Sequence, residues 1–600
     1  MRPIYINLFL FIFVICLAPS VQAQELEWVS VEQSTGNEEG TAITLDKFGN
    51  VYHAGELSSA MIFGEGSRKA TRLNAGNYVA RYQPNGSFKW AANITTDGSP
   101  LIINGIGVDG AGDVYIAGRM TFGSNHTFGP GELNEVTIST NGNSSDVFVA
   151  SFTKKGVFKW VRQGGLGEDN GASGIAVAKN GDNYITGFYR ANIIFGEEGN
   201  TPPVELTSEG GELDNDIFIV KFDQQGDLVW AKTAGGAVGA DTGFDIDLDG
   251  DQTLYVSGHF IDSATFGKNT VSELTITSDG SLDGFLVRMT SDGDPVWGLA
   301  FGGPGSEQVL SIDVKDGSIM TTGLFTAGFD LASTDASSLT LPVVLADNFF
   351  VARYDEDGVL HWGGAMYMDD LTGFDIDVAF GEDDQSCVIS NFDGVGIFGL
   401  GQDGVTVLNA PGDPEMFFAC YEDNGILAWA AADPPRMIAG TLNDEGEIFV
   451  TGRFQGSTDF GPGDPNEVTI NSEGFNDLFV AKYQNQETEL GLVWASEKSL
   501  EASLEAESLQ ALPDDFKLLG NYPNPFNPET TIRVHLNEDA AVSLVVYDAL
   551  GREVSRLMDG VQEAGTHEVV FQANDLPSGL YLYKLVSPAG AQTRTMLLMK

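Results

Sequence analysis

The sequence predicts an all-β protein, and three observations support this. Glycine accounts for 74 of the 600 residues and phenylalanine for 38, whereas lysine and arginine together number only 31, a composition that suits short strands and tight turns. Short runs of alternating apolar and polar residues, bounded by Gly and Asp, recur along the chain. Tryptophan recurs at a regular interval. Because 42% of the residues are hydrophobic, we expect large cores and a globular chain.

The first residues predict an export signal. Arg2 precedes an apolar stretch from Ile4 to Leu17, and the small residue Ala23 follows, which is the pattern of a signal peptide cut after Ala23. The apolar run is short for a membrane anchor, and no later segment has the length and hydropathy of a span. We therefore assign residues 1–23 to a signal peptide and expect no membrane span in the mature chain.

The formal net charge of −54 limits the classes of partner. Nucleic acids and anionic membrane surfaces would be repelled by such a chain, so neither is expected to bind. The acidity favours a solvated surface over a specific cation site, and calcium is the one cofactor that the sequence suggests.

The eight tryptophans mark an internal repeat. They are separated by 62 to 70 residues, and each one from Trp90 to Trp429 lies four residues after a turn glycine that follows an alternating strand such as DVFVASF or DIFIVKF. The tryptophans are Trp28, Trp90, Trp160, Trp230, Trp297, Trp362, Trp429 and Trp494. A ring of sugar-stacking platforms is one interpretation of this column, but its register with buried-type strands favours a role in the core.

A second column of strands follows each tryptophan, in the pattern NVYHAGEL or DVYIAGRM, and a Phe-Gly corner comes after it. The glycine of this column indicates a position where another backbone leaves no room for a side chain, and Ser390 is the exception. The glycines are Gly55, Gly118, Gly187, Gly258, Gly323 and Gly452.

Four short strands per unit, repeated seven times, predict a seven-bladed β-propeller over residues 24–496. These residues resemble the bacterial β-propeller repeats of secreted proteins, with the pattern DxFVxKYxxxGxxxW…GG…D…GNVYVTG. The repeat is longer than a WD40 or kelch blade, and we expect the excess to form an added hairpin after the Phe-Gly corner. Eight Trp segments serve seven copies of the other strands, so either one terminal segment is a cap or the two ends complete one blade.

The composition changes at residues 497–513, which we interpret as a linker, and residues 514–600 then predict a small immunoglobulin-like β-sandwich. The motifs NYPNPFNP, VYDALGREV and LPSGLYLYKL and a terminal lysine resemble the type A sorting domain of the type IX secretion system of the Bacteroidota. The motif residues are Asn521, Tyr522, Pro523, Asn524, Pro525, Phe526, Asn527, Pro528, Tyr547, Gly551, Gly579, Tyr581 and Lys600. We expect the prolines to fix an extended entry at the edge where the domain begins.

The resemblance implies a location and a set of partners. It implies export through the periplasm of a Gram-negative bacterium to the outer cell surface or the medium, by way of the type IX translocon. It also implies a sortase that removes the domain, often with attachment of the protein to surface lipopolysaccharide.

Two small constellations are candidate sites. Asp245, Asp247 and Asp249 resemble half of a calcium loop, but Val256 stands where an EF-hand has its bidentate Glu. Cys387 and Cys420 fall on neighbouring predicted strands of one unit, where a disulfide and a buried free pair are both open. No zinc, Ser-His-Asp or phosphate-binding motif is present in the sequence, so no catalytic residue is assigned.

The sequence therefore favours an exported, non-catalytic propeller that binds a polysaccharide or a surface protein through its loops. A polysaccharide-degrading enzyme that uses loop carboxylates is the alternative, and a purely structural surface component is a third interpretation.

Overall fold

The computed structural model describes residues 23–486 and 516–598, apart from short gaps. The gaps are 141–143, 166–168, 197–201, 212–213, 342–346, 371–374, 382–384, 400–401, 403–404, 463, 523–527, 537–538, 549–552, 575, 577–578 and 588–589. The predicted linker 497–513 and all but the last residue of the predicted signal peptide lie outside the described residues. The described residues contain 47 strands. Among these residues there is no helix long and apolar enough to cross a bilayer.

The predicted all-β, propeller-like fold is confirmed. Up to residue 486, the described strands pair as seven consecutive units, each built on four antiparallel strands that we call a, b, c and d from the inside outward. Between strands b and c, each unit carries a two-stranded hairpin. Strand β1 (Ala23–Glu32) comes first, and unit 1 contains β2 (Glu38–Leu45), β3 (Val51–Leu57), the hairpin β4 (Met61–Phe63) and β5 (Thr71–Leu73), β6 (Gly76–Tyr82) and β7 (Phe88–Thr96).

The next four units follow the same order. Unit 2 contains β8 (Ile102–Val108), β9 (Val114–Met120), β10 (Asn125–Phe128), β11 (Val136–Ser139), β12 (Asp146–Phe152) and β13 (Phe158–Gly164). Unit 3 contains β14 (Gly171–Val177), β15 (Asn183–Arg190), β16 (Asn192–Phe195), β17 (Val204–Thr207), β18 (Asn215–Phe222) and β19 (Leu228–Gly235). Unit 4 contains β20 (Thr242–Asp249), β21 (Thr253–Phe260), β22 (Ser263–Phe266), β23 (Leu274–Thr277), β24 (Asp283–Thr290) and β25 (Pro295–Phe301). Unit 5 contains β26 (Glu307–Lys315), β27 (Ser318–Phe325), β28 (Phe329–Ala332), β29 (Ser338–Leu341), β30 (Asp347–Asp355) and β31 (Leu360–Asp370).

The last two units vary this plan. In unit 6 the outer halves of the long strands b and c form the hairpin, and in unit 7 the fourth strand is β1. Unit 6 contains β32 (Ile376–Phe380), β33 (Ser386–Phe398), β34 (Thr406–Tyr421) and β35 (Leu427–Asp433). Unit 7 contains β36 (Met437–Leu442), β37 (Ile448–Phe454), β38 (Ser457–Phe460), β39 (Val468–Asn471) and β40 (Asp477–Gln486). The a strands β2, β8, β14, β20, β26, β32 and β36 each contact the a strand before and after them, so the units form a closed ring.

The two ends of the ring complete one unit together. β1 pairs antiparallel with β40 along most of its length, from Leu26 opposite Tyr483 to Glu32 opposite Leu478. The Trp28 segment is therefore strand d of unit 7, so two distant parts of the described chain complete one unit, and the Trp494 segment lies outside the described residues. The Glu32 carboxylate extends the closure to unit 1, because it accepts hydrogen bonds from the Tyr82 hydroxyl at 2.7 Å and from the Gly64 N–H at 3.1 Å.

The added hairpins explain why the repeat is long. The predicted hairpin is present in every unit, and the Phe-Gly corner forms its turn, with the glycine in the left-handed region at Gly129 (φ 60°) and Gly461 (φ 61°). Unit 5 has no such corner, and Ala336 (φ 64°) takes the left-handed conformation in its turn. The hairpin of one unit lies against strand d of the unit before it, and in units 2, 4 and 6 it joins that strand through backbone pairing. Strand d is the outer edge of its unit, so the hairpin covers an edge that would otherwise be open to another chain.

The recurrent glycine of strand b meets a bulge in strand a. A Cβ at Gly118 would lie 2.0 Å from the Ile102 carbonyl oxygen, and one at Gly258 would lie 2.0 Å from that of Thr242. The predicted close approach of another backbone is therefore confirmed. At the exceptional position, the Ser390 hydroxyl donates a hydrogen bond of 2.7 Å to the Asp375 carbonyl, so the side chain satisfies the backbone group that it faces.

The C-terminal residues form two antiparallel sheets around one apolar core. One sheet has the order β41, β42, β45 and the other the order β44, β43, β46, β47, so the predicted β-sandwich is confirmed. The strands are β41 (Phe516–Tyr522), β42 (Glu529–Leu536), β43 (Ala540–Asp548), β44 (Glu553–Gln562), β45 (Gly565–Gln572), β46 (Gly579–Ser587) and β47 (Gly590–Leu598). Asn521 and Tyr522 of the proline motif end the edge strand β41, so one strand of the sandwich begins before the prolines.

Candidate functional site

The tryptophan column joins each unit to the next. The Trp160 ring packs under Gly226 of unit 3, where a Cβ would lie 2.7 Å from ring atom Cδ2, and its Nε1 donates a hydrogen bond of 3.0 Å to the Gln224 carbonyl. The same N–H···O bond recurs from Trp28 to Pro84, from Trp90 to Lys154, from Trp230 to Ser291, from Trp297 to Glu356 and from Trp362 to Asp423, at 2.8 to 3.1 Å. These rings are buried or half-buried between units, so the column serves packing and is not a row of exposed platforms.

The carboxylates suggested as calcium ligands lie on strand a of unit 4 and bind the next unit. Asp245 Oδ2 accepts the Ile312 N–H at 2.9 Å, and Asp247 Oδ2 accepts the Val314 N–H at 2.7 Å. Strand a pairs with strand b along one edge, and its other edge has no strand partner. The N–H groups on that free edge therefore need side-chain acceptors. Asp313 in unit 5 and Asp377 in unit 6 repeat the arrangement, accepting the N–H groups of Phe380 and Gly440 in the unit that follows each of them.

We call Asp245, Asp247, Asp313 and Asp377 the inner-edge carboxylates. Burial and the neighbouring carboxylates raise the pKa of Asp245 to about 6 and that of Asp377 to about 7. The pKa of Asp247 is raised further, first by burial and then by the charge of Asp313. No group of three or more His, Cys, Asp or Glu side chains in the described part of the chain is placed to hold a metal ion. Asp249 makes no third ligand there, so a calcium site on these residues stays a prediction.

The two cysteines of the predicted propeller lie directly opposite each other. Cys387 on β33 and Cys420 on β34 are paired in the ladder, both are fully buried, and the structure joins them by a disulfide across strands b and c of unit 6. This geometry corresponds to the first of the two states that the sequence left open.

A surface cavity of about 470 Å³ lies between the a–b turns of units 1 and 2, beside the c–d turn of unit 2 and the a–b turn of unit 3. We call it the basic cleft, because Lys47, Arg81, Lys154 and Lys179 line it together with Phe48 and Tyr52. A cavity of this size is within the range of small-ligand sites. Two carboxylates, Asp46 and Asp109, also line it, and the sequence did not indicate this cavity.

Buried aspartates hold the turns of the basic cleft in place. Asp46 Oδ1 accepts the Phe48 N–H at 2.9 Å and the Asn50 N–H at 3.1 Å, and Asp46 Oδ2 accepts the Tyr52 hydroxyl at 3.1 Å. Asp109 does the same in the turn of unit 2, towards the N–H groups of Ala111 and Asp113. These aspartates are bound within their own turns, and the side chains of Lys47 and Phe48 are left facing solvent, Phe48 with 72% of its surface exposed.

The cationic groups of the cleft are weakly neutralised. Arg81 lies 3.9 Å from Asp46 and stacks over the Tyr52 ring, with its guanidinium carbon 5.3 Å from the ring centre. Lys47, Lys154 and Lys179 are exposed, and no carboxylate in the described part of the chain lies within ion-pair distance of their ammonium groups. In a chain with a net charge of −54, three free lysines around one cavity form a local reversal of sign.

The reversal is confined to one side of the ring. The Lys154 carbonyl accepts the indole N–H of Trp90, and in the other units the equivalent acceptor is not basic. These equivalent residues are Pro84, Gln224, Ser291, Glu356 and Asp423. The a–b turns of units 5 and 7 carry Asp316 and Asp444 where units 1 and 3 carry lysines, and unit 4 carries Gly250 there, followed by Asp251. The sequence analysis missed this cleft because it treated charge as a property of the whole chain. An alignment of the turns of all units would have indicated it.

The sorting-domain motif is described only in part. Pro523, Asn524, Pro525, Phe526, Asn527, Gly551 and Lys600 lie outside the described residues. Asn521 and Tyr522 end β41, Tyr547 lies in β43 and Gly579 begins β46, while Tyr581 is buried in the core of the sandwich. The Pro528 carbonyl accepts the Ala573 N–H at 2.8 Å, and Arg594 Nε donates to the Leu518 carbonyl at 2.8 Å, which ties the two sheets together.

Comparison with known proteins identifies the C-terminal segment. Residues 521–599 match the family described as secretion system C-terminal sorting domain. This segment is therefore a sorting domain, and the chain is exported by the type IX system of Gram-negative Bacteroidota to the cell surface or the medium.

The remainder of the chain has more distant likenesses. A WD repeat-containing protein of Acanthamoeba polyphaga mimivirus, described as uncharacterized, is 23% identical over 364 residues, which are 53% of this chain and 26% of that protein. The chain thus spans about a quarter of the length of this relative. Virginiamycin B lyase from Staphylococcus aureus overlaps 76% of this chain and 99% of its own at 10% identity and a TM-score of 0.35. PorZ, a surface component of the type IX system of Porphyromonas gingivalis, overlaps 95% and 100% at 11% identity and a TM-score of 0.16.

Proposed function

We propose that this chain is an exported, non-catalytic binding protein, whose propeller-like ring captures a polysaccharide or a surface protein outside the cell. The single observation that carries the proposal is the basic cleft, a cavity whose walls are turns fixed by internal hydrogen bonds. Such walls need little reordering when a ligand enters, so little of the binding free energy is spent on organising the site. Sorting by the C-terminal domain brings this surface to where an extracellular ligand is found.

The sorting domain is proposed to act as a separable address that a sortase removes. Deletion of residues 514–600 in the native host is expected to leave the protein in the periplasm, because the type IX machinery then has no signal to bind. Immunoblots of periplasm, whole-cell surface and medium measure this. A Lys155→Gln variant of the full chain is the matched control and should reach the outside normally. Surface display of the truncated chain contradicts the proposal.

Binding itself is tested with the full-length mature chain on a glycan array. The cleft variant Lys47→Gln/Lys154→Gln/Lys179→Gln is applied in parallel, since its three substitutions are at exposed side chains and leave the turn hydrogen bonds in place. Binding by the native chain that is lost in the variant supports the proposal. Binding that the variant retains places the site elsewhere and contradicts it.

The alternative, a polysaccharide-degrading enzyme, has one observation in its favour. Asp247 and Asp313 are neighbouring carboxylates with raised pKa values, and a protonated acid beside an ionised one is the pair that glycoside hydrolysis requires. Both nevertheless accept backbone N–H groups. Release of reducing sugar from a polysaccharide, abolished by Asp313→Asn, would decide for the enzyme.

A further inference from the structure

We infer that the basic cleft binds an acidic saccharide, a sugar chain that carries carboxylate or sulfate groups. The inference rests on the proposed binding function and specifies the class of its ligand. Its starting point is the juxtaposition of four cationic side chains and two aromatic rings, Phe48 and Tyr52, around one cavity.

The cations select an anionic group. Lys47, Lys154 and Lys179 reach the cleft from three different turns, so their ammonium groups surround the cavity instead of lying along one strand. Arg81 contributes a guanidinium whose Nη1 also donates to the Lys154 carbonyl, at 3.4 Å, which links the wall of unit 1 to that of unit 2. Carboxylate and sulfate oxygens accept several such charge-assisted hydrogen bonds at once.

The aromatic rings favour a sugar over a bare ion. Phe48 stands at the mouth with most of its ring exposed, and the Lys47 ammonium lies 5.3 Å from the centre of that ring. A ring with one free face offers an apolar surface to the C–H face of a sugar, while the neighbouring ammonium reaches the acidic group of the same residue. An inorganic anion would use the cations and leave the ring unused.

The rest of the surface limits how densely charged the ligand is. On the neighbouring turns of units 4 and 5 lie Asp251, which accepts the Lys179 N–H at 3.1 Å, and Asp316, so a stiff polyanion that runs past the cleft would meet carboxylates there. Glu356 and Asp444 are paired with Arg288 and Lys315. At physiological ionic strength this repulsion acts within about 8 Å. The favoured ligand is therefore a flexible or sparsely charged saccharide that places one or two acidic groups in the cleft.

Titration calorimetry of the full-length mature protein tests the inference with defined probes. Oligogalacturonate supplies carboxylates, dextran sulfate supplies sulfates, and dextran is the neutral counterpart. We expect one of the acidic probes to bind at least about tenfold more tightly than dextran, and its binding to weaken when NaCl is raised from 50 to 500 mM. The probe that binds shows whether the cleft recognises carboxylate or sulfate groups.

Variants separate the cleft from general charge. Lys47→Gln/Lys154→Gln/Lys179→Gln is expected to weaken binding of the acidic probe about tenfold or more, since three exposed ion pairs to the ligand are lost together. Lys155→Gln is the matched control, because Lys155 is exposed on the same turn as Lys154 but does not line the cavity. It should leave affinity within about twofold. Phe48→Ala should weaken the affinity for the saccharide probes and leave the affinity for inorganic sulfate unchanged.

The outcomes distinguish this inference from the proposed function. Equal binding of dextran and the acidic probes overturns the acidic class, while cleft-dependent binding of dextran would still support a binding protein. The single variant Lys154→Gln should lose more affinity than its neighbour Lys155→Gln, and equal losses in these two variants show diffuse attraction and overturn the site. Binding of no probe overturns the inference, and the glycan array then decides separately on the proposed function.

Discussion

At the scale of the residue, one contact recurs between the units of the ring. A tryptophan ring lies under a glycine in the left-handed conformation, and the indole N–H closes the contact on a carbonyl of the same turn. Trp429 is the informative departure: its Nε1 is buried and has no partner in the described residues, because unit 7 takes strand d from the N-terminal end of the chain and has no continuous c–d turn there.

The contact predicts that Gly226 cannot be replaced by a larger residue without loss of stability, for two separable reasons. Gly226→Ala places a Cβ against the Trp160 ring at a residue with φ of 78°, whereas Gly250→Ala meets the same type of backbone (φ 63°) with nothing within 4 Å. We expect the Gly250 variant to lose about 1–2 kcal/mol of unfolding free energy from backbone strain, and the Gly226 variant about 1–3 kcal/mol more from overpacking. Denaturant unfolding measures both, and equal losses would show that the ring contact is unimportant.

At the scale of the element, the decisive strand is β1. Its backbone pairs with β40, the Leu26 N–H donates to Asp464 at 2.7 Å, and Lys482 bridges Glu27 and Glu447. This short strand thus completes unit 7, beside the contact between the a strands β36 and β2, and its removal exposes the full edge of β40.

We predict that a chain lacking residues 24–32 is poorly soluble and recovers when the strand is supplied as a peptide. The free edge of β40 is a template for strand addition, so the peptide of residues 24–32 should restore the missing ladder. Size-exclusion chromatography and thermal unfolding, with and without peptide, measure this. A peptide with Trp28→Ala is the control and should restore less, because it lacks the indole that binds the Pro84 carbonyl. Unchanged behaviour of the truncated chain would contradict this role of β1.

The elements were predictable from sequence to different degrees. Strands b and c, the hairpin and the tight glycine of strand b follow from period-two alternation and turn residues, which are local signals. The role of Asp245 and Asp247 was not predictable in this way, because their partners Ile312 and Val314 belong to the next unit. The sequence pattern resembled a calcium loop. In the folded ring, these side chains accept the N–H groups on the free edge of the neighbouring strand a, and that edge exists only once the units are packed together.

At the scale of the whole molecule, some of the acidic side chains lie in the interior of the protein. Besides the solvated surface, several carboxyl groups are buried, and burial raises their pKa. The carboxyl groups with a pKa of about 7 are those of Glu32, Glu56, Asp241, Asp377 and Asp433, and the pKa of Glu307 is about 8. The folded protein therefore holds protons that the unfolded chain releases near pH 4.

Stability should consequently fall as pH rises from about 5.5 to 8. A raised pKa means that the folded state binds more protons than the unfolded state across this window, so the stabilisation present at low pH is lost as these groups ionise. We expect a Tm lower by at least about 3 °C at pH 8, measured by calorimetry at constant ionic strength.

One substitution assigns part of this pH effect. Asp377→Asn keeps an oxygen that accepts the Gly440 N–H but does not titrate, so it should reduce the loss between pH 5.5 and 8. Asp292→Asn, at an exposed turn, is the control and should leave the slope unchanged. A Tm that rises with pH in the native chain would contradict the assignment.

The pairing of β1 with β40 also has a consequence for the order of events in time. The strand pairing of β1 is with residues more than 430 positions later in the chain, so this pairing waits until the last unit has been made. Contacts of such long range slow folding, and until they form, β1 and the incomplete unit 7 both carry unsatisfied edges. A chain that must pass through a secretion channel benefits from remaining open for that interval. The ring is sealed only when both of its ends have arrived in the same compartment.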